Sequence, residues 1–364
     1  MKRPAVGLWL VVLGLIGLGG FIPTRSEGCP ACVGPGRPKL TLVQQLLDSD
    51  QAVEAVATAQ PGVFQVVSGI KGDLAAGQSI ELDIDQRPAL SLAQGQRVVL
   101  GRYGLAKRWT LFGQITAGRS DWLRKISGLK RTSELAEADW KDRIALFLPY
   151  LNDDDSLVRG TAVGEIARAP YASMRSVKGR LERDQLLAIL SRASETERPL
   201  FYLLLGVVGA EEDEGVIDDL LTIRQRQHGA DNLAALLVAK LEIRGPGWTK
   251  ELSQRYLANR EATDAEKNAA CMALSIHGES QPQRFRDSVV ELYDQLCMEG
   301  VLVPAMLEDL TAWKRWEFRP RMVDLLSRET TPRGTKEAIH KYITACEAAE
   351  RIPLGVAIQE SSRE

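Results

Sequence analysis

A mainly α-helical chain, an α-solenoid preceded by a small five-stranded β-barrel module, is the fold class the sequence predicts. Three observations carry it. Short β-prone runs separated by Gly or Pro fill roughly 65 residues before Gly118. Beyond Gly118, apolar residues recur every three or four positions, the spacing of one helix face. The later breaks between helices, near Asp213, Gly247, Ser280 and Arg319, lie roughly 33 to 39 residues apart, the length of a two-helix repeat.

Composition permits such a chain and narrows its partners. Its 364 residues suffice for two cores, and the hydrophobic fraction of 45% with 26% charged is that of a folded protein. With 46 basic against 48 acidic residues, the formal charge of -2 supplies no global field to recruit nucleic acid or an anionic membrane; a protein partner is expected instead from the extended surface of the helical repeats.

The elements follow in order. Lys2 and Arg3 precede an uncharged apolar run over residues 5–22, the layout of an export signal. Ser26 and Gly28 are small residues at positions -3 and -1 before Cys29, so residues 1–28 read as a signal peptide. The rival is an uncleaved anchor, with the run 5–22 as a membrane tether. Either way the chain is expected in the periplasm or at the cell surface. Ser26 stands where a lipoprotein signal usually has Leu, which disfavours a lipidated Cys29.

Residues 29–39 form a Cys/Pro/Gly leader that cannot hold a helix. Cys29 and Cys32 within it are a candidate structural disulfide in an oxidising compartment, with pairing to a distant cysteine as the alternative; their spacing is also that of thiol-redox sites, but no strand-helix-strand unit of thioredoxin type follows. Val33 after Cys32 excludes the usual haem-attachment motif. Cys271, Cys297 and Cys346 fall in helical patterns and read as small buried residues.

The β module is placed at 40–117. It opens with a short amphipathic helix over 40–48, then strands over 52–59, 63–70, 79–85, 97–102 and 109–115. The helical region is placed at 118–350, with helices over 139–151, 156–169, 182–193, 197–208, 216–227, 232–244, 249–259, 265–277, 283–299, 304–316, 320–328 and 336–348, and a tail at 351–364. Paired helices of this kind cannot bury their apolar faces alone, so stacking on neighbours must supply the core.

The run Tyr150-Leu151-Asn152-Asp153-Asp154-Asp155, with Gly164-Glu165-Ile166-Ala167-Arg168-Ala169-Pro170-Tyr171, resembles uncharacterised exported HEAT-repeat proteins of planctomycete-type bacteria. The likeness covers most of the chain and implies a HEAT-like α-solenoid but no activity. Phe64-Gln65-Val66, Lys71-Gly72 and Gly95-Gln96-Arg97-Val98-Val99-Leu100 are similar to the central strands of netrin-like modules, the OB-type barrels also found in tissue inhibitors of metalloproteinases. That family's N-terminal cysteines have one residue between them, whereas two separate Cys29 and Cys32.

No motif carries catalysis, a cofactor or a metal. His228, His277 and His340 stand far apart, with no zinc-protease pair and no hydrolase elbow. Gly14, Gly17 and Gly19 mimic a nucleotide-binding fingerprint only inside the apolar leader. Asn152 to Asp155 lacks the Gly and terminal Glu of a calcium loop and reads as capping of the helix at Ser156. The basic stretch that includes Arg124 and Lys125 is followed by an acidic one that can neutralise it, with contact to cell-wall polyanions or lipid headgroups as the alternative. Trp313 and Trp316, three apart on an expected shared helix face and interleaved with Arg315 and Arg319, read as packing between repeats, with a peptide or glycan groove as the alternative. The expected function is therefore a non-enzymatic scaffold or protein-binding protein that uses its helical surface. An inhibitor-like or ligand-binding β module, with the helices as support, is the second expectation.

Overall fold

The computed structural model describes residues 29–32, 40–83, 92–226 and 230–351. The expected signal or anchor, its apolar run 5–22, His228 and the tail beyond 351 lie outside the described residues. A helix α1 (Leu42–Asp48) precedes five strands: β1 (Gln51–Ala57), β2 (Val63–Lys71), β3 (Ser79–Glu81), β4 (Arg97–Tyr103) and β5 (Arg108–Gln114). The chain is helical from there: α2 (Ser120–Ser127), α3 (Glu137–Phe147), α4 (Ser156–Ala167), α5 (Tyr171–Met174), α6 (Arg183–Leu190), α7 (Arg198–Val208), α8 (Glu214–Arg226) and α9 (Leu233–Arg244). Then come α10 (Thr249–Leu252), α11 (Asp264–Ser280), α12 (Asp287–Met298), α13 (Pro304–Ala312), α14 (Arg319–Ser327) and α15 (Arg333–Arg351). Helices α2 and α5 are not among the helices expected from the sequence; the four residues of α5 are too few to display a period.

The five strands form one antiparallel sheet in the order β3-β2-β1-β4-β5. Of the closed or partly closed barrel that five such strands suggest, the structure has the partly closed form, a curled half-barrel. Among the described residues β3 and β5 are the sheet's two edges and do not pair with each other. Register shifts at Ala52/Val53, Glu54/Ala55 and Val99/Leu100 supply the curl, because an extra residue on one strand bends it and increases its twist.

Period-two alternation gives the sheet two apolar faces. Val53, Ala55, Phe64, Val66, Ile80, Val98 and Leu100 fill the inside of the half-barrel. Ala52, Ile70 and Val99 join a second core that continues through the helices as far as Tyr342 and Cys346. The boundary at 117/118 is thus a change of secondary structure within one core.

Three polar locks tie the sheet and the residues just after it to helices, and one, centred on Glu165, ties together the helices beneath it. Glu54, fully buried on β1, takes Arg97 Nη1 at 2.5 Å and the hydroxyl of Ser120 at the start of α2. Lys71 Nζ donates to the carbonyls of Leu46 and Leu47 at 3.1 and 2.9 Å, satisfying the C-terminal end of α1. Arg143 on α3 donates through Nε to Glu165 on α4 at 2.6 Å and through Nη1 to the Lys130 carbonyl at 2.8 Å. Thr41, which caps α1, also donates to Glu165. Finally, Asp155 caps α4 as the sequence predicts, accepting from the amides of Leu157 and Val158 at 2.9 and 3.2 Å, and it reaches back to the Thr116 amide after β5 at 2.6 Å.

Beyond the junction the contacts turn apolar. The α7 run Leu200 to Leu205 is buried on every side, as is Leu233 to Leu241 of α9 apart from Ala234, so both are central helices. Helix α9 packs against both α7 and α11, and α13 against both α11 and α15, while α6, α8 and α14 lie on α7, α9 and α15 respectively. Gly206 makes the α7–α9 approach possible: a Cβ there would stand 2.5 Å from Ala239 Cα. No helix of the described residues is long and apolar enough to cross a membrane.

Candidate functional site

Glu242, near the end of α9, organises a charged cleft of about 270 Å³ between the end of α7, the turn after α5 and the turn before α12. Its carboxylate accepts from the Gln281 side-chain amide at 2.7 Å, from Tyr171 Oη at 3.1 Å and from Arg175 Nε at 3.1 Å. Arg284 stands 3.9 Å from the same group and rests its guanidinium over the Phe285 ring. Lys178 and Glu211 complete the charged lining. Glu242 is a tenth exposed, while Arg175 and Arg284 are about two-fifths exposed. The largely buried acid holds Arg175 and Arg284 in place along the cleft lining. A guanidinium has five donors, and Arg175 commits its Nε to Glu242, so the cleft can receive an incoming carboxylate.

His277 supports this cleft from beneath. The ring is buried between Tyr171 and Phe285, with centroids at 5.5 and 4.5 Å. Nε2 donates to the Val238 carbonyl at 2.9 Å and Nδ1 accepts from Gln281 at 3.2 Å, which is the pattern of a neutral imidazole. Burial pushes its pKa down to about 4, against the Val238 hydrogen bond and the Glu242 charge that favour protonation. The imidazole therefore positions Gln281 and does not carry charge. Burial likewise raises the Tyr171 phenol well above its usual range, with the Glu242 carboxylate adding to the effect.

A second cleft, of about 390 Å³, opens where α12 meets α14 and is lined by Asp294, Glu317, Phe318, Pro320, Arg321 and Asp324. It adjoins the aromatic and basic residues singled out in the sequence, whose arrangement differs from the expected one. Trp313 and Trp316 do not share a helix face, because α13 ends at Ala312 and Lys314 takes a left-handed conformation with φ 56°. Two aromatic anchorages impose that turn. Trp313 stacks parallel to Tyr293 at 6.3 Å, with Arg286 on its face and Gly278 pressed against its edge. Trp316 packs on Tyr342, 5.9 Å away, and the Tyr342 hydroxyl donates to the Arg315 carbonyl. Both tryptophans are half-buried packing groups. Arg315 pairs with Glu317 at 2.5 Å, and Arg319 with Glu350 at 2.8 Å.

The basic stretch is largely neutralised within the chain. Arg119 meets Asp153 at 2.7 Å, Lys130 meets Asp139 at 3.0 Å, and Arg124 pairs with Asp121. Lys125 is exposed on α2. Cys29 and Cys32 are unbridged thiols in the structure, joined by a turn in which the Cys32 amide donates to the Cys29 carbonyl at 2.9 Å; Cys271, Cys297 and Cys346 are buried. Among the described residues no group of three or more His, Cys, Asp or Glu is placed to hold a metal ion.

One further buried acid stands out. Asp309 on α13 accepts from Ser275 at 2.5 Å and from Tyr293 at 2.7 Å, with no cation against it among these bonds. Burial drives its pKa up to about 7 against those two hydrogen bonds, and the charges of Glu279 and Glu308 push the same way as burial.

Nothing in the sequence pointed to Glu242, Arg175 or Arg284. Tyr171 and Arg175 lie 71 and 67 residues from Glu242, and no local spacing links them. The same holds beyond this chain: no family model, curated protein or solved structure matches it.

Proposed function

We propose that the chain is an exported, non-enzymatic scaffold whose helices form a HEAT-like solenoid, and that it grips a protein partner through the Glu242 cleft. One observation carries the reading: α7, α9, α11, α13 and α15 pack each on the next, with other helices laid on that row. A row built this way offers an extended surface with regularly spaced inter-helix clefts, the feature by which helical repeats hold extended partners. Arg175, Lys178 and Arg284 on that surface suit a partner that presents carboxylates. Export rests on Lys2, Arg3 and the apolar run that follows them.

The test uses the full-length chain with Arg175→Glu and Arg284→Glu together, beside Arg108→Glu on the exposed edge of the sheet as control. Partners are crosslinked, captured and identified by mass spectrometry. The partner held by the natural chain should be lost with the cleft pair and kept with the control. Loss with the control alone would assign binding to the half-barrel and end the proposal.

A further inference from the structure

The cleft of about 390 Å³ between α12 and α14 combines an apolar wall with an excess of carboxylates. Phe318 and Pro320 line it, Phe318 buried and Pro320 exposed. Met298 on α12 stands four residues after Asp294, and Val323 on α14 stands three after Pro320. Helical spacing therefore puts each on the same side of its helix as a lining residue. Met298 is 63% exposed and Val323 51%. One exposed apolar side chain is ordinary, but two that flank a cleft already walled by Pro320 extend a patch, which marks a contact surface.

The charge on this surface is negative. Asp294, Glu317 and Asp324 line the cleft against Arg321 alone. Arg321 reaches across it, donating to the Asp294 carbonyl at 3.3 Å and to the same residue's carboxylate. Helix α12 contains Asp287, Glu291 and Asp294 and no Lys or Arg, and the exposed Glu299 follows its end. Arg315 and Arg328 pair with Glu317 and Asp324, but these pairs are exposed, and exposed pairs are weak enough for an incoming cation to exchange with them.

We propose that the groove between α12 and α14 is a second docking surface, separate from the Glu242 cleft and opposite to it in sign, which takes a basic amphipathic segment of a protein partner. Apolar side chains of that segment lie against Pro320, Val323 and Met298, while its Lys or Arg side chains meet Asp294, Glu317 and Asp324. Met298 suits such a contact, because an unbranched thioether adapts to the shape it meets. The chain's own residues 352–358, Ile-Pro-Leu-Gly-Val-Ala-Ile, are apolar but uncharged, so they match the patch and not the carboxylates.

The experiment uses the full-length chain with Val323→benzoylphenylalanine, a photo-crosslinking side chain, beside Ile223→benzoylphenylalanine at an exposed apolar position on α8. Each is irradiated with a tagged synthetic peptide of Leu and Lys, or with its Leu and Glu counterpart, and the adducts are read by peptide mass spectrometry. The Lys peptide should be captured at position 323 several-fold more than at position 223, and several-fold more than the Glu peptide at position 323. Asp294→Asn together with Asp324→Asn should cut that capture several-fold while the circular dichroism of the chain stays the same. Equal capture at the two positions, a preference for the Glu peptide, or capture indifferent to the two Asn substitutions would overturn the proposal. Crosslinks from position 323 into residues 352–364 of the same chain, or into a second copy, would do so too, by showing a different occupant.

Discussion

The junction between sheet and helices and the seam between the later helices are both buried, yet opposite means hold them. At the junction each lock is charged: Glu165 with Arg143, Glu54 with Arg97, and Asp155 with three backbone amides. Along the seam, close approach does the joining, with Gly206 against Ala239 and Gly278 against Trp313. Of the buried acids there, Asp309 is met by hydroxyls, and charge pairs such as Lys240 with Glu214 and Asp218 lie to the side, between α9 and α8. Where strands and helix ends meet, backbone groups are left without partners and side-chain charge must satisfy them. Where helix packs lengthwise on helix, the backbones are already satisfied and small residues suffice.

The largest effect should come from removing charge at the junction. Arg143→Ala leaves Glu165 buried without its cation and should cost about 3 to 5 kcal/mol, read as a shift in the denaturant midpoint at constant slope. A loss below about 1 kcal/mol would mean that apolar contacts alone hold the junction. On the seam, Asp309 should make stability depend on pH in the direction opposite to an ion-paired acid. Its folded pKa of about 7 exceeds the ordinary 3.8, so the folded chain holds the proton more tightly. This contribution is therefore present in mild acid and lost as pH rises through about 7. The unfolding free energy of the natural chain relative to Asp309→Asn should fall by about 2 to 3 kcal/mol between about pH 5 and about pH 8. A difference that stays flat across that window would rule out the buried neutral acid.

Gly206→Ala tests close approach directly. With Ala239 Cα at 2.5 Å from the new methyl, α7 and α9 must separate, at about 1 to 3 kcal/mol measured by thermal unfolding. An unchanged midpoint would show that this contact is slack. The smallest effect falls on a single cap: Asp155→Ala should cost about 1 kcal/mol at neutral pH. Burial opposes ionisation of Asp155, but the amides of Thr116, Val158 and Leu157 hold its pKa below the usual carboxylate range. That stabilisation is present above the unfolded carboxylate pKa and lost as pH falls through the folded value. The variant should therefore converge on the natural chain in acid, and a cost that persists there would assign the effect to packing.

The sequence by itself determined most of the helices, the strands and the cap of α4, because those depend on neighbours two to four positions away. The continuous β-prone run Val98-Val99-Leu100 announced β4, and Asp155 announced the start of α4. Tertiary structure alone decided the rest. The sheet stays open because of how its edge strands are placed, and Trp313 and Trp316 part because rings on two different helices hold them. The Glu242 cleft gathers side chains from α5, α9 and the turn before α12. Residues so distant in the chain meet only after the apolar faces have docked, and no local pattern of residue types encodes which of them will face one another.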